Sequence, residues 1–304
     1  MRVLISGSTG LIGTALVESL RADGHSIGRL ARPATRAGPA GSAAGTWIRW
    51  DPAAGELDSA AAEGADAVVN LAGASIGGGR WSPTRKRLLR NSRVEATRSL
   101  IESLSHLARP PRVFVSASAV GYFGDRGDEE LTEQSSPGDD FLAQLCVDWE
   151  AAAMRAAEFG ARVSIVRFGI VLAAKGGALA QMLLPFRLGL GGRLGSGKQW
   201  MSWIALQDAT NILRRVLDDE HLSGVVHAVA PGPVRNVEFT AALARVLHRP
   251  AILPAPGFAL RLVLGEMAEA LLLSSQHVIP ARLKEAGHPF ELPGLIAALG
   301  AVLS

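Results

Sequence analysis

The chain has 304 residues, 48% of them hydrophobic, with a formal net charge of +3 and a single cysteine. That length and apolar share suit one large α/β domain, or a domain with a smaller lobe. So small a charge, with no Lys/Arg block interleaved with aromatics, argues against nucleic-acid binding. The lone Cys146 excludes an internal disulfide framework, and no apolar run reaches the roughly 18 residues of a membrane span. Met1-Arg2 runs straight into Val3-Leu4-Ile5 without the longer apolar stretch of a signal peptide, so a cytoplasmic location is expected.

Residues 2–6 read as a strand buried on both faces, followed by a helix from Leu11 to Ala22 with Leu11, Ala15, Leu16 and Leu20 on one side and Gly24 closing it. His25–Ala31 is a second strand. Arg32–Gly45 is a low-complexity surface loop. Further buried strands are expected at Thr46–Trp50, Ala67–Leu71, Val113–Ser116 and Val163–Phe168, with helices over Pro83–Ala108 and Asp140–Phe159. Strands alternating with helices imply a doubly wound parallel sheet covered on both faces, a Rossmann-like α/β fold. After about residue 170 the rhythm breaks. A glycine-rich loop, Gly189–Gly197, precedes helices expected at Leu206–Asp218, Glu238–Leu247, Gly257–Leu273 and Leu292–Leu303. Residues 1–170 are therefore assigned to the core, and residues 171–304 to a smaller, mostly helical lobe that partly returns to the core in one compact unit.

The first turn carries the chemistry. Gly7-Ser8-Thr9-Gly10-Leu11-Ile12-Gly13 joins strand to helix. Gly7 permits a tight turn, Gly10 lets the main chain approach a pyrophosphate, and Gly13 lets helix and strand pack closely. The spacing is G-x-x-G-x-x-G rather than G-x-G-x-x-G. An NAD site places a carboxylate at the end of the second strand to accept from the ribose hydroxyls. Here that place holds Leu30-Ala31-Arg32, followed by Arg36, and guanidinium groups there suit a 2′-phosphate. NADP(H) is thus the expected cofactor, ahead of NAD(H).

With the G-x-x-G-x-x-G turn, Asn70-Leu71-Ala72-Gly73 and Ser116-Ala117-Ser118-Ala119-Val120-Gly121-Tyr122 each follow a strand. Together they resemble the extended short-chain dehydrogenase/reductase superfamily. Trp50-Asp51-Pro52, Gly138-Asp139-Asp140-Phe141, Asp148-Trp149-Glu150, Met201-Ser202-Trp203-Ile204 and the closing Val278–Gly287 segment resemble its atypical "epimerase family" branch, over essentially the whole chain. The resemblance implies a Rossmann core with a carboxy-terminal substrate lobe. It implies that Leu71, Ala72, Gly73 and Ser116 line the cofactor and that Phe168, Gly169 and Ile170 approach the nicotinamide. It leaves the substrate open.

Ordinary members of that superfamily use a Ser, a Tyr and a Lys four residues after the Tyr. Ser118 stands where the Ser belongs, to orient a substrate oxygen. Anchored on Glu150, the helix places Leu142 and Cys146 where the Tyr and Lys belong; a one-residue shift gives Phe141 and Leu145. Tyr122, the one tyrosine of the chain, is a candidate proton donor and equally a packing residue. Asp139 and Asp140 precede the altered helix, as caps or as carboxylates of the site. Asp148 and Glu150, two apart, point in different directions and make no acid/base pair.

Gly192–Lys198 matches the frame of a phosphate loop, but Gln199 follows where a hydroxyl would bind Mg²⁺, and no compact strand precedes it. In the resembling branch this loop reaches the crevice, which makes Lys198, Gln199, Ser202 and Trp203 substrate candidates. The seven histidines are dispersed without ligand spacing, so no metal is expected. Arg85, Lys86, Arg87, Arg90 and Arg93 spread around one helix as a solvated face, with Asn91 or Arg93 as a candidate to turn inward. The expected function is an NADP(H)-binding oxidoreductase or epimerase-like enzyme acting on a small molecule, without the Tyr-x-x-x-Lys pair. The alternatives are a non-catalytic NADP(H)-binding sensor or interaction protein, and redox-neutral lyase or isomerase chemistry. The expected partners are a small-molecule substrate and, as an allowed assembly, a second copy of the chain.

Overall fold

The computed structural model describes residues 1–32 and 45–304. The first half runs β1 (Arg2–Ser6), α1 (Leu11–Ala22), β2 (Ser26–Ala31), β3 (Thr46–Asp51), β4 (Glu56–Leu57), α2 (Ser59–Ala62), β5 (Ala67–Asn70), α3 (Pro83–Arg90), α4 (Ala96–Ser105), β6 (Val113–Ala119), β7 (Glu130–Leu131), α5 (Phe141–Met154) and β8 (Arg162–Phe168). The second half runs β9 (Ile170–Leu172), α6 (Gly177–Arg187), β10 (Trp200–Met201), β11 (Trp203–Ala205), α7 (Leu206–Asp218), β12 (Gly224–Ala228), β13 (Val234–Arg235), α8 (Asn236–Leu247), α9 (Gly257–Leu264), α10 (Glu266–Ala268), β14 (His277–Val278), α11 (Ala281–Glu285) and α12 (Leu295–Leu303).

Among the described residues the main sheet has eight strands in the order β12-β8-β6-β5-β1-β2-β3-β4, all parallel except the β3–β4 hairpin. Alternation along each strand decides what each face meets. Val3 and Ile5 of β1 pack with Leu16, Val17 and Leu20 of α1 and Ile212, Leu213 and Val216 of α7. Leu4, between them, points the other way, to Leu100, Ile101 and Leu104 of α4. Both faces are therefore dry, as a parallel sheet requires. The lobe has its own apolar centre, where Leu179 and Leu183 of α6 meet Phe239 and Leu243 of α8, Leu299 of α12 and Trp203.

Several expected boundaries move for local reasons. The single helix expected over 257–273 breaks at Gly265, whose φ of +63° no helix continues through, and resumes as α10 and a π-helical turn, Glu269–Leu273. The helix expected over 140–159 gives way to a 3₁₀ turn at Arg155–Phe159 and stops at Gly160, φ +88°. The helix expected over 83–108 holds a π-helical turn at Asn91–Glu95 between α3 and α4. Residues 171–304 also contribute an unforeseen strand to the core: β12 pairs with β8, Gly224 opposite Ser164 through Ala228 opposite Phe168. No helix among the described residues is long and apolar enough to cross a membrane.

Candidate dinucleotide site

The strand order reverses around β1, with β5 on one side and β2 on the other, and crevices form at the carboxyl ends of strands at such a point. The glycine turn lies there. Gly7, at φ +66°, presses on the next strand's exit, since a Cβ on it would lie 2.6 Å from the Leu71 carbonyl oxygen. Gly13 is tighter still, with a Cβ falling 2.2 Å from the Gly7 carbonyl. Gly10 is the N-cap of α1 and brings no side chain to satisfy the first-turn N–H groups of Leu11, Ile12 and Gly13. Left without a side-chain cap at the positive end of the helix dipole, those donors make the arrangement that holds a phosphate. A cleft of about 1100 Å³ runs alongside, lined by Thr9, Gly10, Leu11, Lys175, Gln207 and Arg214 among others.

Polar groups beneath the turn fix its position. The Leu71 and Ala72 N–H groups both donate to Ser6 Oγ at 3.2 Å, and that hydroxyl donates to Asn70 Oδ1 at 2.6 Å. Asn70 Nδ2 donates to Thr97 Oγ1 at 2.8 Å, which also accepts from the Trp149 indole at 3.0 Å. One buried chain thus ties β1, β5, α4 and α5 together behind Leu71, Ala72 and Gly73. Arg29 of β2 is a residue that sequence reasoning missed. Its Nε donates to Ser8 Oγ at 3.2 Å and its Nη2 to the Ser8 carbonyl at 3.1 Å, while the guanidinium lies 4.1 Å from the Trp47 ring centre. A charged residue within the apolar run Ile27–Ala31 was the available signal. Arg32 follows β2 directly and is exposed, and Arg36 lies outside the described residues.

The expected catalytic and substrate residues sit differently. Ser118, Arg167 and His227 occupy paired positions across β6, β8 and β12. The Ser118 hydroxyl, 3% exposed, donates to Glu150 Oε1 at 2.6 Å, and Arg167 clasps the same carboxylate with Nε and Nη2, each at 2.8 Å. Ser118 is thus engaged inside the protein, because the carboxylate of α5 accepts its hydrogen bond. The Arg167 guanidinium in turn lies 3.4 Å from the Tyr122 ring centre, and Tyr122 meets Phe123 edge-on. Tyr122 packs on a cation while remaining partly exposed. Cys146 is buried and its thiol is pushed up to about 12, chiefly by loss of water and secondly by the Glu150 charge, so it is no nucleophile. Asp140 caps α5, accepting from the Ala143 N–H at 2.7 Å, and Asp148 pairs with Arg90 away from Glu150.

Ser116 is fully buried within the sheet, and its hydroxyl donates to the Ala117 carbonyl at 3.2 Å. Phe168 is core; Gly169 is pinned, since a Cβ would lie 2.5 Å from the Ser202 carbonyl; Ile170 starts β9 and receives that carbonyl on its N–H at 2.8 Å. Three of the four substrate candidates hold the lobe together. Gln199 donates to the Leu194 and Leu272 carbonyls, Ser202 to those of Gln276 and Val278, and the fully buried Trp203 to that of Gly232. They are buried because the short strands β10 and β11 need side-chain donors to reach neighbouring loops. Lys198 is exposed. No helix follows the Gly192–Lys198 loop, so its phosphate-loop frame has no structural counterpart.

His227 is a buried imidazole with a consequence for stability. Its Nδ1 lies 2.9 Å from the Ile279 carbonyl, which makes that nitrogen the donor, and Nε2 has no partner. Burial, aided by the Arg167 charge, pushes its pKa from 6.5 to about 3. The facing acid is Glu133, whose Oε1 accepts from the His227 N–H and whose carboxyl is pushed up, mainly by burial. The unfolded chain protonates His227 near 6.5 and the folded chain only near 3. Its contribution to stability is complete above the first value and lost as pH falls toward the second. Glu133 works in the opposite sense, its contribution present at low pH and lost as pH rises through its raised value. Lowering the pH from 7 to 4 is expected to remove on the order of 3 kcal/mol through His227. Urea unfolding of the protein and of His227→Phe across that range checks this; identical pH slopes in both would contradict it.

Comparison with known proteins places the fold. The "NAD dependent epimerase/dehydratase family" matches residues 3–229, and a domain of unknown function, DUF1731, matches residues 255–302. An "epimerase family protein" of Mycobacterium tuberculosis is 44% identical over 298 residues, covering 98% of this chain and 96% of that protein. The crystal structure of human epimerase family protein SDR39U1 (isoform 2) with NADPH superposes with a TM-score of 0.89 at 38% identity, covering 99% of each chain. A nucleoside-diphosphate sugar epimerase from Corynebacterium glutamicum superposes with a TM-score of 0.78 at 36% identity, over 100% of this chain and 58% of that one. With the glycine turn, the eight-stranded sheet and the carboxy-terminal segment all matched, the chain belongs to the NAD dependent epimerase/dehydratase family, in its epimerase family protein branch.

Proposed function

We propose that this protein binds NADP(H) at the carboxyl edge of the sheet and catalyses hydride transfer to or from a small carbonyl or hydroxyl compound. The observation that carries the reading is the uncapped start of α1 at Gly10, with Arg29 on the adjoining strand, Arg32 directly after it and no carboxylate at the end of β2. The residues fit the group: Gly10 brings no Cβ to the start of α1, and no side chain caps the first-turn N–H groups there. When bound, NADP(H) supplies the hydride. The N–H groups of Leu11, Ile12 and Gly13 would hold the pyrophosphate, and Arg32 would pair with the 2′-phosphate. Leu71, Ala72 and Gly73, fixed from behind by Ser6 and Asn70, would line the opposite wall. The NADPH named with the human relative supports the same choice of cofactor. Tyr122, partly exposed beside the row headed by Ser118, is the proposed proton donor, with solvent as the other source.

A second reading follows from Ser118 and Cys146. With the serine hydroxyl committed to Glu150 and the thiol raised to about 12, the crevice lacks the usual Ser and Lys, which favours a binding protein without turnover. Incubation with NADPH and a panel of carbonyl compounds separates the two, read as loss of the reduced-nicotinamide absorbance. Turnover that falls about a hundredfold or more in Tyr122→Phe supports the enzyme; NADPH binding without turnover on any compound supports the sensor. Arg32→Ala is expected to weaken NADPH by about ten- to a hundredfold, the worth of charge-assisted hydrogen bonds, and NADH hardly at all. Titration of both nucleotides checks it, and equal weakening would refute the 2′-phosphate contact.

A further inference from the structure

Arg93 is a half-buried cation at the exit of β5. It arises in the π-helical turn Asn91–Glu95, a local widening of the helix that recurs at functional sites. Asn91 of the same turn is exposed, whereas Arg93 turns inward. Its guanidinium lies against the exit of β5: a Cβ on Gly73 would fall 3.1 Å from Arg93 Cζ. It donates to the Ala74 carbonyl at 3.0 Å and reaches the Leu89 carbonyl only at 3.5 Å.

No carboxylate among the described residues pairs with it; the buried, neutral Cys146 and the like-charged Arg85 lie near it, and its guanidinium is 5.4 Å from the Trp149 ring centre. Other buried or half-buried arginines of this chain are treated differently. Arg167 is clasped by Glu150, and Arg162 and Arg282 each donate three hydrogen bonds to oxygen atoms. A half-buried guanidinium with one donation of ordinary length has N–H groups left for a ligand. Arg93 also lies within electrostatic reach of Cys146, which with Leu145 is one of the two positions of α5 where the superfamily's lysine would stand.

We infer that Arg93 replaces that lysine from a different helix, donating to the hydroxyls of the nicotinamide-side ribose when the dinucleotide is bound. The inference rests on the NADP(H) reading and adds a positioning residue to it. Arg93 would then fix the ribose against Gly73, and Gly73 lacks a side chain because the guanidinium occupies that space.

The test measures dissociation constants, by calorimetry, for NADPH and for adenosine 2′,5′-bisphosphate, which has the 2′-phosphate end but no second ribose. Arg93→Met is expected to weaken NADPH about tenfold and leave the bisphosphate unchanged, and Arg93→Lys to recover part of the loss. Gly73→Ala, which pushes on the guanidinium while keeping it, is expected to show the same selectivity in a fully folded protein. Unchanged NADPH affinity in Arg93→Met overturns the inference. Equal weakening of both ligands also overturns it, since that is the mark of a general structural role. A wild-type protein that binds neither ligand overturns the cofactor reading and this inference with it. One that binds both while Arg93→Met changes neither overturns the inference alone.

Discussion

Glu150→Ala is expected to destabilise the protein by about 3–5 kcal/mol, because it strands a buried guanidinium. Glu150 accepts three hydrogen bonds, one from Ser118 and two from Arg167, and Arg167 is 3% exposed. With the carboxylate gone, Arg167 keeps its charge in a dry site bounded by the rings of Tyr122 and Phe123. Arg167 Nη1 has no hydrogen-bond partner even in the intact protein, so no spare acceptor is at hand. Chemical denaturation of Glu150→Ala, Arg167→Met and the double variant measures the coupling. The double variant is expected to recover a substantial part of the loss, since two apolar groups leave nothing unpaired. A double variant whose loss equals the sum of the two single losses would show that the pair is not coupled.

The second large effect is expected at Gly13. Its Cβ would lie 2.2 Å from the Gly7 carbonyl oxygen and 2.9 Å from Ser8 Cα, both main-chain atoms that no side-chain rotation can clear. Gly13→Ala therefore forces the turn away from α1. If two charge-assisted donations to the pyrophosphate are lost, each worth about 1.5 kcal/mol, NADPH affinity falls about a hundredfold. Arg21→Ala, exposed in the last turn of α1 and away from the cleft, is the control expected to bind within about twofold of wild type. Fluorescence titration reads both. Near-normal NADPH affinity in Gly13→Ala would remove the glycine turn from the site.

Much of the core was legible because its signals are local and strongly periodic. The apolar runs at 2–6 and 163–168 are strands because both faces of a parallel sheet exclude water, and α7 begins and ends where its pattern predicted, at Leu206 and Asp218. The glycine turn was legible because each of its three glycines answers a separate steric demand. β12 was not. Its five residues, opening on a glycine and with a histidine fourth, resemble a loop until β8 is present to pair with them. The lobe candidates illustrate a related point: Gln199, Ser202 and Trp203 are polar or amphipathic residues that sequence reasoning assigns to ligands, yet each donates to a carbonyl 29 to 76 positions away. Nothing near them in the chain announces those partners. Ser118 was placed correctly on its strand but was expected to face substrate; only the β6–β8 register reveals that Arg167 and Glu150 reach its hydroxyl first.

The late arrival of β12 has a bearing on how the chain is made. Until residues 224–228 have been synthesised, β8 presents a bare strand edge, and its row of unpaired N–H and carbonyl groups is open to pairing with another chain. β7 waits longer still, since its partner β14 lies at His277–Val278. The core thus cannot finish as it emerges from the ribosome, and the whole polypeptide must close these long-range pairings before the nascent protein is safe from aggregation.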